Sequence, residues 1–309
     1  MKSALLLLSY GSPERIEELD EYLRNIFNGK PVPEAVREEN FRKYEMFGGR
    51  SPSNSIIANI ARKLQERIGS DMDIIVAYKH WKPSIEDAAG NLGPYDNVVA
   101  IPLFSFYSQN VKDSYLNPLE SALKRHNFSP RLEFVNGLAN SDLFLPMWAN
   151  IISEDASYDS FYLFDAHSLP DPEKEEDYLF WLRYSTYKIS QILGIARSDF
   201  GFQGGHKGWL GPSVYDVLNK IDGTSITVIP ISFLYDHLEI LYDLDYEFRR
   251  AVEERGMRYH RVRMPNDSAM MVNIIERAAR SAITHLRGEK INGRVIGQPA
   301  APHQREEHR

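Results

Sequence analysis

Near its start the chain runs apolar without a break over residues 4–8, then turns polar and tight at Ser9-Tyr10-Gly11-Ser12-Pro13. The same rhythm recurs to the far end, with short apolar runs alternating with longer stretches of helical period. That alternation is the signature of an α/β chain. Strands are predicted over 4–8, 73–77, 98–102 and 131–135, and again over 160–164, 200–203, 226–233 and 259–262. Helices are predicted between them, among them 52–68 with Ser51 as N-cap, 178–193, 237–255 and 269–286. The strands fall into equal sets before and after position 140. This implies two similar α/β halves, 1–138 and 139–287, with a cleft between them and the last helix free to pack back on the first half. Residues 288–309, rich in Gly, Pro and charge, are expected to form a polar tail.

In open parallel sheets, ligands gather where loops leave the carboxyl ends of strands. The segments richest in chemistry stand at such ends: Ser9-Tyr10-Gly11-Ser12-Pro13, Lys79-His80-Trp81, Asp165-Ala166-His167-Ser168-Leu169-Pro170 and Asp236-His237-Leu238-Glu239. In the predicted helix 237–255, Glu239, Asp243 and Glu247 recur every four residues and share one stripe. Like charges so spaced repel by a few tenths of a kcal/mol per pair. Water screening on an exposed face is the commoner outcome; a path for a dication is the other. His167 is equally open, either a proton acceptor or metal ligand near neutral pH, or an imidazole bonded to backbone. Gly48-Gly49-Arg50-Ser51-Pro52 reads as a glycine turn entering a helix, which could also seat a carboxylate. Phe104-Ser105-Phe106-Tyr107-Ser108 is either core or a wall for a flat ligand.

Composition narrows these choices. The 309 residues are 43% apolar and 26% charged, with a net charge of -7. These values fit a soluble globular protein and give no footprint for nucleic acid. The absence of cysteine removes disulfides, thiolate catalysis and cysteine-held iron–sulfur clusters. The apolar opening is too short for a signal peptide or a membrane span, so a cytoplasmic protein is expected.

Six motifs in order resemble the ferrochelatase family across the span from Ala4 to about Leu286. They are Tyr10-Gly11-Ser12-Pro13, Tyr44 with Gly48-Gly49-x-Ser51-Pro52, Lys79-His80 with Pro83-Ser84-Ile85-Glu86-Asp87, Ala166-His167-Ser168-Leu169-Pro170, Trp209-Leu210-Gly211-Pro212, and Asp236-His237-Leu238-Glu239-x-Leu241-Tyr242. The resemblance implies two Rossmann-like domains, each a four-stranded parallel sheet flanked by helices. It implies a cytoplasmic monomer that inserts ferrous iron into a porphyrin, coproporphyrin III or protoporphyrin IX, in heme biosynthesis. Porphyrin and iron are then the substrates, and no organic cofactor is needed. It also implies His167 and Glu239 as the catalytic metal-site pair, with Asp243 and Glu247 continuing the acidic line. Tyr10 is similar to the tyrosine of the coproporphyrin branch, and Lys43, Tyr44 and Ser51 fall where that branch holds its porphyrin. Lys112 stands where the branch has a tyrosine, and Phe27 where it has an arginine, so the propionate contacts are expected to differ. Two alternatives are a cobalt chelatase acting on a sirohydrochlorin-like tetrapyrrole and a two-lobed binding protein without activity.

Overall fold

A parallel strand buried on both faces needs apolar side chains at every position, not alternate ones. In the computed structural model, which describes residues 1–155 and 159–288, strand β1 (Ser3–Ser9) meets that condition and is buried throughout. Its side chains still alternate between faces. Leu5 and Leu7 join the larger core, while Ala4, Leu6 and Leu8 join a second core on the other side of the sheet.

The other strands are β2 (Asp73–Tyr78), β3 (Asn97–Pro102), β4 (Arg131–Phe134), β5 (Phe161–His167), β6 (Ser198–Gln203), β7 (Ser225–Ile229) and β8 (Arg258–Arg261). They form two four-stranded sheets, ordered β2-β1-β3-β4 and β6-β5-β7-β8. Every pairing is parallel; Leu6, for example, lies opposite Ile75 on one side and Ala100 on the other. The two orders are one topology repeated, the duplicated Rossmann-like arrangement. In each sheet the order reverses beside the first strand of the set, the switch point where such sheets open a crevice. The segment after β1 and the end of β5 therefore lie at equivalent places.

The connections carry α1 (Leu19–Ile26), α2 (Glu34–Met46), α3 (Ser53–Ile68), α4 (Ile85–Gly90), α5 (Gln109–Arg125), α6 (Phe144–Asp155), α7 (Glu176–Leu193), α8 (Val214–Leu218), α9 (Arg249–Glu253) and α10 (Ala269–Arg287). Helix α10 returns to pack on β3, β4 and α3. The larger core accordingly runs through both halves, from Leu5 to Ile283. The predicted polar tail lies outside the described residues from position 289 onward.

Three local expectations are corrected. The strand expected over 226–233 stops at Ile229, because Pro230 has no N–H to continue the ladder. The loop expected to begin at Asp165 is still strand, since Asp165 pairs with Gly201 and His167 with Gln203. The helix expected from 237 to 255 is wound as a π-helix over Ile240–Phe248 before continuing as α9. A π-helix bonds to the fifth residue along, so four residues fall slightly short of a turn instead of slightly past it. Residues four apart still stay close to one line.

Candidate active site

A cavity of about 500 Å³ opens between the two sheets, at the carboxyl ends of their strands. Tyr10, Lys43, Tyr44, Ser51, His167, Glu239 and Asp243 all line it. Two of the sequence-derived candidates do not. Glu247 is exposed one turn farther along the π-helix, and Lys112 sits half-buried on α5 outside the lining.

His167 ends β5, and its ring is fixed from behind. Its Nδ1 lies 2.5 Å from the Ser168 carbonyl. A carbonyl only accepts, so Nδ1 carries the hydrogen and Nε2 of the neutral ring presents a lone pair. The His167 backbone donates to Ser232 Oγ at 3.0 Å and accepts from the Tyr178 hydroxyl at 3.0 Å. Gly204 passes close beside the ring with φ +70°, and a Cβ there would fall 2.8 Å from Nε2. Only glycine fits that conformation and that gap.

Glu239 stands opposite. Its Oε2 is 3.8 Å from His167 Nε2 and 3.6 Å from His237 Nε2. His237 is oriented like His167, with Nδ1 donating to the Tyr235 carbonyl at 3.1 Å. The Glu239 side chain is 53% exposed, but it opens onto the cleft, with protein surrounding it on the other sides. That enclosure pushes its carboxyl up, while the imidazolium forms of His237 and His167, with the Lys43 ammonium, pull harder and hold it down at about 2. Asp243 behaves oppositely. Burial, and then the negative charge of Glu239, push it up to about 7, against the partial relief of Lys43 at 4.0 Å. Neighbouring carboxylates with separated pKa values divide the work: one stays charged while the other exchanges protons.

The π-helix that carries Asp243, with Glu239 at its N-cap, is tied down by Arg261 of β8. Its guanidinium grips Asp245 through two contacts of 2.8 Å and reaches Asp236 at 3.1 Å. Asn266 clamps Asp236 from the other side through two contacts of 2.8 Å. The segment before the π-helix and its middle are thus anchored to one side chain, which fixes where Glu239 and Asp243 point.

The first half supplies the facing wall. Tyr10 follows β1 and packs against His80, ring centroids 4.5 Å apart. Burial, and then the charge of Glu239, push its phenol well up, so it remains an O–H donor. Gly11 turns the chain behind it with φ +84°, where a Cβ would strike Tyr78 and Trp81 at 2.7 Å. Lys43 bonds Glu39 at 2.8 Å and lies over the Tyr242 ring at 4.5 Å. Ser51 joins Ser53 at 3.0 Å at the start of α3. Among the described residues no group of three or more His, Asp or Glu is placed to hold a metal ion together.

Sequence reasoning assigned no role to Lys79, Tyr115 or Asn110, all of which line the cavity. It also gave no role to Asp165, two residues before His167 on β5, which is fully buried with both carboxyl oxygens unpartnered among the described residues. Burial, then the charge of Asp243, raise its pKa well above the usual carboxylate range.

Comparison with known proteins identifies the family. The family model described as Ferrochelatase matches residues 2–283. A ferrochelatase of Thermoplasma acidophilum is 86% identical over 299 residues, covering 97% of this chain and 97% of its own. A coproporphyrin III ferrochelatase of Geobacillus kaustophilus is 28% identical over 296 residues, covering 88% of this chain and 93% of its own. Among solved structures, a sirohydrochlorin chelatase of Bacillus subtilis in complex with cobalt superimposes with a TM-score of 0.62 at 11% identity. It covers 93% of this chain and 98% of that one. At that identity the likeness speaks to the fold alone.

Proposed function

Because the chain belongs to the ferrochelatase family and inserts a metal ion into a porphyrin, we propose that the ion is ferrous iron, the porphyrin is of the coproporphyrin III type, and His167 and Glu239 carry the reaction. The observation behind this is one piece of geometry: a histidine lone pair and an ionised carboxylate face each other at 3.8 Å across a cavity entered from both halves.

Metalation must remove the inner pyrrole N–H protons and strip water from the ion. His167 Nε2 takes a pyrrole proton, and the imidazolium so formed is stabilised by Glu239 beside it. Glu239 stays anionic at neutral pH, so its carboxylate is also the oxygen ligand that guides the dication in. Asp243, poised near 7, accepts the proton and passes it outward toward exposed Glu247. The ion's charge equals that of the protons leaving, so the pocket ends with the charge it began with. Tyr10, Tyr44 and Ser51 hold the macrocycle against this face, and a ring bent away from planarity presents its nitrogen lone pairs outward.

The coproporphyrin assignment rests on Tyr10, whose phenol reaches the cavity from the wall opposite His167. In this reading 1–138 and 139–287 are the two units that close on the porphyrin. No helix among the described residues is long and apolar enough to cross a membrane. The test is anaerobic iron insertion followed by absorbance, with coproporphyrin III, protoporphyrin IX and sirohydrochlorin supplied in parallel. Preference for coproporphyrin III is expected; preference for protoporphyrin IX would remove the assignment drawn from Tyr10. Cobalt insertion confined to sirohydrochlorin would contradict the ferrous-iron assignment as well.

A further inference from the structure

Helix α7 turns one face into the core and leaves the opposite face exposed. Tyr178, Leu182, Ser185, Thr186 and Ile189 are buried. The outer face carries a row at i, i+4 spacing, Glu176, Phe180, Tyr184 and Lys188. The two rings of the row are 38% and 36% exposed and stack on each other, centroids 5.8 Å apart and planes 15° apart. Trp181 meets both edge-on, and Tyr187 beside them is 58% exposed. Four neighbouring aromatic side chains, three of them exposed, form the kind of patch that marks an interaction surface. The row ends in opposite charges, and neither Glu176 nor Lys188 has an ion-pair partner among the described residues. Lys188 instead lies over the Tyr184 and Tyr187 rings at 5.9 and 5.7 Å. Acid, aromatic, aromatic, base is a sequence that becomes its own complement when reversed. Self-complementarity of that kind is what a two-fold interface requires.

We propose that this row is a self-association surface, on which two copies of the chain pair their α7 helices antiparallel about a two-fold axis passing between Phe180 and Tyr184. Glu176 of each copy then faces the partner's Lys188, and Phe180 meets the partner's Tyr184. Rows of i, i+4 spacing are the ridges that interdigitate in the commonest class of helix packing. A lipid surface suits the row less well. Glu176, with Asp177 beside it, puts acid at one end, and the whole chain carries a net charge of -7, which anionic headgroups repel. None of the described residues of α7 lines the cavity, so the pairing engages nothing that metal insertion uses and stands apart from the porphyrin reading. The row spans about 18 Å, an interface below the roughly 800 Å² per partner of standard complexes. The dimer is therefore weak, with a Kd on the order of 10 μM. This departs from the monomer that the family resemblance implies.

The experiment is sedimentation velocity on the full chain from about 1 to about 200 μM. Wild type is expected to pass from monomer to dimer across that range, and added salt to raise the midpoint. Glu176→Lys and Lys188→Glu each set like charges against one another at both ends of the pair. Each is expected to weaken self-association by about tenfold or more. An equimolar mixture of the two variants has opposite charges at both ends again, and is expected to dimerise as wild type does. That rescue also shows that both variants fold. Tyr184→Ser is expected to weaken association in every combination. Wild type that stays monomeric to about 200 μM, charge variants that associate like wild type, or a mixture no better than either variant alone would overturn the pairing. A monomer that binds phosphatidylglycerol vesicles, and loses them in Tyr184→Ser, would assign the row to a lipid surface and overturn it as well.

Discussion

Replacing Asp243 with asparagine is expected to alter how stability responds to pH. In the folded chain burial and the neighbouring Glu239 push the carboxyl up to about 7, against an ordinary value of 3.8. Between those values the unfolded chain has released this proton while the folded chain retains it, so the folded state binds more protons. Stability therefore falls as pH rises from about 4 to about 7, and this contribution is flat outside that window. Moving the carboxyl from about 4 to about 7, at 1.36 kcal/mol per pH unit, sets a ceiling of about 4 kcal/mol. The Asp243 side chain is 25% exposed, and solvent relaxation around it and around Glu239 reduces that ceiling to about 2 kcal/mol. The assay is urea unfolding of wild type and Asp243→Asn at several pH values spanning the window. The variant is expected to gain on wild type steadily up to neutral pH, by about 2 kcal/mol in total, and then hold its lead. A stability difference independent of pH would refute both the raised pKa and its place in proton transfer.

Three further outcomes follow from the same geometry. Glu239→Gln removes one of the charges that hold Asp243 up, so the midpoint of the Asp243-dependent change is expected to move down from about 7 in the same unfolding series. Gly204→Ala places a Cβ 2.8 Å from His167 Nε2 in a left-handed conformation. It is expected to displace the imidazole and lower kcat by roughly a hundredfold, with porphyrin affinity changed far less in a fluorescence titration. Arg261→Gln strands Asp245 and Asp236 beneath the π-helix. It is expected to cost about 3 kcal/mol in unfolding free energy and to lower kcat through misplacement of Glu239, which steady-state insertion assays would detect.

The parts legible in the sequence were those set by local pattern. Strand β1 announced itself because burial on both faces leaves no polar break, and four strands before and four after the midpoint implied the repeat that the sheets show. The switch-point segments could be named before their partners were known, since His167 and Tyr10 stand beside the first strands of their sets. Winding was not legible. The i, i+4 spacing of Glu239, Asp243 and Glu247 is compatible with an α-helix or a π-helix, and the choice depends on long-range ties such as Arg261 to Asp245. Lys112 was taken from the family resemblance, and Glu247 from its helical spacing and the same resemblance. Their distance from the cavity is set by which face of α5, and how much of the π-helix, meets it.

The most direct test of the central claim is anaerobic iron insertion into coproporphyrin III by wild type, His167→Ala and Glu239→Gln, with porphyrin binding measured on the same samples. Wild type is expected to turn over. Both variants are expected to bind porphyrin within about tenfold of wild type and to lose at least about a hundredfold in turnover. Turnover retained in His167→Ala would remove the histidine as proton acceptor, and turnover retained in both would contradict the facing pair as the site of metal insertion.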